Sequence, residues 1–314
     1  RRPRVWRTAV FVVAVAVLAA WSYQTSFRGV FVYDDHPAIV DNPHIKTLWP
    51  LAEAVTAPPE APVSGRPVVS LTLALNYALA PPDARDIMAP AGPGLPPNAA
   101  SRFYRNVWGY HALNLLIHVL AALTLFGVVR RTLLTPRLRH RFGPAAAVLA
   151  AVIAVIWLVH PLNTQAVTYI VRRIESLVGL FVLLTLYCAI RAAADGPRRR
   201  WWAAASVAAC ALGMGTKEVM VGAPVLVWLW DVTFGVRIRD RRGLYAGLAA
   251  TWVILALLVV MEQRSQSVGF DLGWTWWAYL TTQAGVLVHY LRLAFVPWPL
   301  VFDYGWPRAA SVAA

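Results

Sequence analysis

Residues 106–131 read NVWGYHALNLLIHVLAALTLFGVVRR. From Asn106 to Val129 the run carries no charged side chain, and it stops at Arg130-Arg131. At ~1.5 Å of rise per residue it is long enough to cross the ~30 Å hydrocarbon core of a bilayer as one helix. The basic cluster that follows, Arg130, Arg131, Arg137, Arg139 and Arg141, marks its C-terminal end as cytoplasmic by the positive-inside rule.

Working outward, the same pattern recurs. Apolar runs at Thr8–Tyr23, Pro144–Val159, Ile174–Ala193, Trp201–Met214, Val219–Phe234, Leu244–Met261 and Trp274–Val296 predict seven further spans. Three more basic clusters separate them: Arg1, Arg2, Arg4 and Arg7; Arg191, Arg198, Arg199 and Arg200; Arg237, Arg239, Arg241 and Arg242. Alternating the sides span by span puts all four clusters inside. The expected fold is therefore all-α, a polytopic helical membrane bundle of about eight or more spans. The composition agrees, with 59% hydrophobic residues, 14% charged residues and 15 tryptophans in 314 residues. The net charge of +14 belongs to the topology and not to a nucleic-acid surface, because it sits in short clusters between apolar runs. Cys188 and Cys210 lie inside apolar runs and read as small buried hydrophobes.

A long loop, expected to be external, follows the first span to about Arg105. Within it, Pro67–Ala80 is apolar but too short to cross, so it reads as a helix lying at the interface. Pro81–Pro97 is rich in Pro, Gly and Ala and reads as a mobile loop. The loop opens with Phe31-Val32-Tyr33-Asp34-Asp35-His36. Adjacent carboxylates beside a bilayer are costly, and there they suit a general base or a holder of a cationic group.

Other polar groups fall on the same side. His111, Asn114 and His118 are spaced i, i+3, i+7, so they share one helix face. Either they line a cavity or they hydrogen-bond between helices. The two imidazoles are ~10 Å apart along the axis and cannot share one zinc ion, so no metal site is expected. If the chain is helical from Thr164, then Gln165, Tyr169 and Arg173 form an i, i+4, i+8 stripe, with Arg172 and Glu175 beside it as a pair. Arg172 and Arg173 break the positive-inside rule, which points to a local anion, either a phosphate or a carboxylate. Lys217-Glu218 is either a self-neutralising pair or part of an anion site. With Arg66 and His160, these residues predict an outer cavity, acidic on one wall and basic on the other. Asp303-Tyr304 falls inside by charge alternation.

In order along the chain, Tyr33-Asp34-Asp35, Asn42-Pro43, Arg66-Pro67, Asn76-Tyr77, His111-Ala112-Leu113-Asn114 with His118, His160-Pro161, Thr164-Gln165-Ala166-Val167-Thr168-Tyr169 with Arg173, Thr216-Lys217-Glu218, and Pro299-Leu300 with Asp303-Tyr304 resemble the membrane domain of the bacterial tetratricopeptide-repeat membrane proteins. That group is similar to the eukaryotic transmembrane and tetratricopeptide-repeat O-mannosyltransferases, within the GT-C glycosyltransferase fold. The resemblance covers nearly all of 1–314 and implies a GT-C-like transmembrane domain, with further spans and tetratricopeptide repeats expected beyond 314. It also implies transfer of a sugar, mannose in those relatives, from a polyprenyl-phosphate donor to a hydroxyl of an acceptor protein or glycan. The expected setting is the extracytoplasmic side of the inner membrane, with the N-terminus cytoplasmic and no cofactor. Asp34 or Asp35 would be the catalytic base. Arg173, Arg172, Lys217 and Arg66 would hold the donor phosphate, and His111, Asn114, His160, Gln165, Tyr169 and Glu218 would line the cavity. A non-catalytic scaffold that anchors the repeats is the alternative, and a transporter is a third reading that lacks inverted repeats.

Overall fold

The computed structural model describes residues 2–80, 107–194, 196–261 and 275–306. The Pro81–Pro97 segment, with the loop expected to be mobile, lies outside the described residues. The longer helices are α1 (Arg2–Ser22), α2 (Pro67–Leu79), α3 (Trp108–Leu133), α4 (Ala146–Val159), α5 (Arg173–Ala193), α6 (Arg199–Met214), α7 (Ala223–Phe234), α8 (Arg242–Met261) and α9 (Trp276–Phe295).

Local chemistry sets many of the boundaries. Pro67 opens α2 at its first position, where a missing N–H costs nothing. Thr275 caps α9 by accepting the Ala278 N–H at 3.1 Å. Gly235, at φ +73°, closes α7 in the left-handed conformation. The α4 helix stops at His160-Pro161, because the residue before a proline is driven out of the helical region.

At the centre lies α5, packed on α3, α6 and α7, while α3 also packs on α1 and α4, and α6 on α8. Tyr110, Ile117, Ile170, Ile174 and Leu177 form a buried cluster between α3 and α5. Cys210, Met214, Met220, Val227 and Leu248 form another among α6, α7 and α8. The outward faces stay apolar, with Val148, Val152 and Ile156 of α4 and Val253, Leu257 and Val260 of α8 exposed. Such faces suit a lipid surround, in which packing between helices rests on close fit and hydrogen bonds.

Among the described residues, three helical stretches are long and apolar enough to cross a membrane: Trp108–Leu133, Ile170–Ala193 and Ile238–Met261. A fourth is added if Ala146–Val159 and Pro161–Thr168, bent by 50°, count as one broken span. Four of the eight expected spans are not among them: the apolar part of α1 is only Ala9–Ser22, α9 does not qualify, and α6 and α7 are short. The α6 helix has 16 residues and α7 has 12, because the chain turns at Gly215 and runs through a 3-10 segment, Glu218–Gly222. The α2 helix, at 13 residues, matches the short helix expected in the loop. It buries Val69, Ser70, Leu73 and Ala74 on one face.

The basic clusters meet at one end of the bundle. Arg137 donates to the Thr233 carbonyl, Arg199 to the Asp240 carbonyl at 2.6 Å, and Trp230 to Thr132 Oγ1 at 3.0 Å. The N-terminus of α1 points the same way, since Phe11 packs on Phe126 at 4.6 Å and Phe27 lies near Trp108 at 6.0 Å. A buried latch joins this end. Asp231, 0% exposed, takes Arg241 Nη1 on one oxygen and the Tyr245 hydroxyl on the other. Arg241 Nη2 reaches the Ala189 carbonyl at 2.6 Å.

Candidate functional site

The opposite end carries Asp34 and Asp35, and the structure treats the two aspartates differently. Asp35 is 0% exposed. Its Oδ2 accepts the Val32 N–H at 3.0 Å, which closes a tight turn. Its Oδ1 accepts the Val171 N–H at 2.8 Å, which ties this loop to the segment leading into α5. Behind it, Ala38, Ile39 and Val40 bury the following helical turn in the core. Asp35 is thus a cross-link whose two oxygens are both occupied.

Asp34 is exposed, and its backbone N–H donates to the Tyr169 hydroxyl at 2.9 Å. Tyr33 directs it outward. At φ 45° Tyr33 sits in the left-handed region, which costs a non-glycine residue roughly 1–3 kcal/mol. Its ring, 73% exposed, stacks on Phe302 at 5.2 Å. Strain of this kind gathers at working sites; the sequence brings Tyr33 forward only within the Tyr33-Asp34-Asp35 motif, and Phe302 not at all.

Burial pushes the Asp35 carboxyl up to about 6, with the nearby Asp34 charge adding to it. The Val32 and Val171 N–H groups and His36 oppose the shift. The folded pKa then exceeds the ordinary value of 3.8. Between those values the folded chain binds more protons than the unfolded chain, so this group lends stability at low pH and withdraws it as pH rises through about 6. Purified protein is expected to melt at a higher temperature near pH 5 than near pH 7.5. In Asp35→Asn that part of the slope should vanish, as parallel thermal melts would show.

The expected Gln165, Tyr169, Arg173 stripe does not form. The helical turn Thr164–Thr168 ends at Tyr169, which is extended (ψ 117°), and a 3-10 turn, Ile170–Arg172, precedes α5. The break sends the two arginines in different directions. Arg173 is 0% exposed. Its Nε donates to Asn114 Oδ1 at 2.7 Å, Nη1 to the Thr72 carbonyl at 3.1 Å and Nη2 to the Tyr110 carbonyl at 3.1 Å. Arg173 therefore holds α2, α3 and α5 together and is not open to a donor phosphate, contrary to the expectation from sequence.

Arg172 is the more accessible, half-buried member. Its guanidinium lies over the Tyr169 ring at 5.9 Å, so Tyr169 joins Asp34 on its hydroxyl to Arg172 on its face. Arg172 pairs with Glu175 at 3.6 Å, as the i, i+3 spacing anticipates. Lys217 also pairs with Glu175. Glu218 pairs with Arg66 at 3.5 Å. The Val68 N–H donates to the Gly215 carbonyl at 3.1 Å, which brings Arg66 beside this turn. Among the described residues, the three cations Arg66, Arg172 and Lys217 pair with two carboxylates, Glu175 and Glu218. The Nε groups of Arg66 and Arg172 are buried without an acceptor among the described residues, an arrangement that suits an anion.

The polar face of α3 mostly repairs breaks in neighbouring helices. His118 Nε2 reaches the Leu158 carbonyl at 2.8 Å. Asn114 Nδ2 reaches the Val167 and Ile170 carbonyls at 3.4 and 3.3 Å. Carbonyls left free where a helix stops need such donors. Asn114 is 0% and His111 3% exposed, so both are packed in and neither lines an open cavity. His111 abuts Gly29, where an added Cβ would come within 3.0 Å of Nε2.

His160 and Gln165 face the chain's C-terminal segment. His160 Nδ1 accepts the Leu162 N–H at 3.3 Å, so Nε2 is left to donate to the Ala294 carbonyl at 3.3 Å. Gln165 Nε2 donates to the Phe302 carbonyl at 3.2 Å. Phe302 also meets Tyr169 at 5.3 Å. The segment holding Asp303 and Tyr304 therefore lies at the Asp34 end, not at the arginine-rich end where charge alternation puts it.

Protein O-mannosyl-transferase TMTC1 of Mus musculus is 33% identical over 183 residues, covering 54% of this chain and 16% of the relative. The chain is similar to the TMTC protein O-mannosyl-transferases. Tmtc2 of Drosophila melanogaster is 27% identical over 94% of this chain and 31% of its own length. TMTC4 of Homo sapiens is 29% identical over 55% of this chain and 22% of its own length. The chain thus spans less than a third of these transferases. No family model matches the chain, and no solved structure matches it.

Proposed function

We propose that this chain is the membrane domain of a GT-C-type glycosyltransferase that moves a sugar, mannose by analogy with the similar transferases, from a polyprenyl-phosphate donor to a hydroxyl acceptor, with protein Ser or Thr as the acceptor. The observation that carries the proposal is the Asp34–Tyr169–Arg172 contact chain. An exposed carboxylate with no competing side-chain partner among the described residues stands one tyrosine away from a cluster of cations with unfilled donors.

Asp34 is the proposed base. It takes the proton from the acceptor hydroxyl as that oxygen attacks the anomeric carbon. The bond from that carbon to the donor phosphate breaks on the opposite face, and the electron pair leaves with the lipid phosphate. Configuration is inverted. The phosphate departs as an anion and needs no acid, unlike the leaving group of a glycoside hydrolase. Arg172 and Lys217 stabilise the charge that grows on it, and Arg66 extends the same wall. No step uses a metal or cofactor. In this reading the arginine-rich end faces the cytoplasm, the Asp34 end faces outward across an inner membrane, and about eight crossings are completed by helices shorter than a full span.

The test is donor kinetics. Arg172→Ala and Lys217→Ala are each expected to lower kcat/KM for the lipid-linked donor on the order of 10²-fold, with the melting temperature held within a few degrees. Unchanged kinetics in both would remove the basic wall from the mechanism.

A further inference from the structure

A cavity of about 280 Å³ opens along the C-terminal half of α3, toward the arginine-rich end. Its wall is one stripe of α3, namely Leu120, Leu123, Thr124, Gly127, Arg130 and Arg131, together with Phe126 and with Tyr187 of α5. Leu120 to Gly127 gives an apolar track of about 10 Å. Gly127 shapes it, because an added Cβ would lie 2.6 Å from the Tyr187 ring. The ring is thereby seated against the α3 backbone.

The track ends in cations. Arg131 lies over the Tyr187 ring at 5.6 Å. Arg191 donates to the Tyr187 hydroxyl at 3.0 Å and stacks on Trp202 at 4.0 Å. Among the described residues, none of Arg130, Arg131 and Arg191 has a carboxylate partner. Tyr187 therefore contacts two guanidinium groups, Arg131 in the groove wall and Arg191 beside it, and among the described residues neither is answered by a carboxylate. A ligand that fits must carry an anion at one end and a hydrocarbon chain at the other.

We propose that this groove binds an anionic phospholipid of the surrounding leaflet, with its phosphate at Arg130 and Arg131 and one acyl chain along Leu120–Gly127. Basic side chains beside a membrane attract anionic headgroups, and the groove supplies the register that a bare basic surface lacks.

The test uses the full-length protein in detergent and native mass spectrometry. Dioleoyl phosphatidylglycerol is titrated against dioleoyl phosphatidylcholine, which has the same chains. Wild type is expected to retain the phosphatidylglycerol selectively, and R130Q/R131Q to lose about 20–30-fold in affinity, as the removal of two cations near a headgroup implies. R139Q/R141Q removes equal charge at the same end outside the groove and should change little. Thr124→Phe fills the track and should weaken retention with all charges intact. Equal losses in the two arginine pairs, or no preference for phosphatidylglycerol in wild type, would overturn the proposal. So would undiminished retention in Thr124→Phe. None of these readouts depends on sugar transfer.

Discussion

Asp34→Asn is expected to lower sugar transfer by ~10²–10⁴-fold, the usual contribution of a general base, while expression and melting temperature stay close to wild type. The reason is geometric. The Asp34 side chain is exposed and closes no hydrogen bond within the fold among the described residues, and the contact to Tyr169 is made by its backbone N–H, which the substitution keeps. Asp35→Asn should behave differently. It removes one of two oxygens that accept backbone N–H groups from opposite sides of the loop, so its first effect falls on folding. Transfer assays paired with melts on the two variants separate these effects. A full-rate Asp34→Asn enzyme would exclude the residue as base.

The second large effect lies at the other end of the molecule. Asp231→Ala or Arg241→Ala is expected to cost about 3–5 kcal/mol, because each leaves its partner as an uncompensated buried charge. Asp231 is 0% and Arg241 4% exposed, so water cannot make up the loss. The pair fastens α7, α8 and the end of α5 through the Ala189 carbonyl and Tyr245. A double replacement by apolar residues of similar size, Asp231→Leu/Arg241→Met, should recover much of the stability, since a buried ion pair adds little net energy over good apolar packing. Unfolding in detergent, followed by tryptophan fluorescence, would test both statements. A single variant as stable as wild type would contradict the latch.

Much of this fold was legible in the sequence because helix length and the placement of arginines are local signals. The Asn106–Val129 run emerged as the main part of α3, and the basic clusters gathered at one end. The break at Tyr169 was harder to read. Gln165, Tyr169 and Arg173 keep perfect helical spacing, yet Thr168-Tyr169-Ile170-Val171 is a run of β-branched and aromatic residues that favours helix poorly. That run is the signal in the sequence that separates Arg173, which the break buries, from Arg172, although both carry the phosphate role in the sequence reading. The two aspartates could not be told apart in sequence. Their difference is made by the Val171 N–H, 136 residues along the chain. The placement of Phe302 against Tyr33 is also non-local, and counting crossings by charge put that segment at the wrong end.

The most direct measurement is transfer of labelled sugar from polyprenyl-phosphate mannose to a Ser/Thr-rich peptide by membranes that carry the full-length protein. Transfer that requires the lipid-linked donor, inverts the anomeric centre and is lost in Asp34→Asn is the expected result. Absence of transfer from any polyprenyl-phosphate sugar by correctly folded protein would contradict it, and would leave the chain as a scaffold.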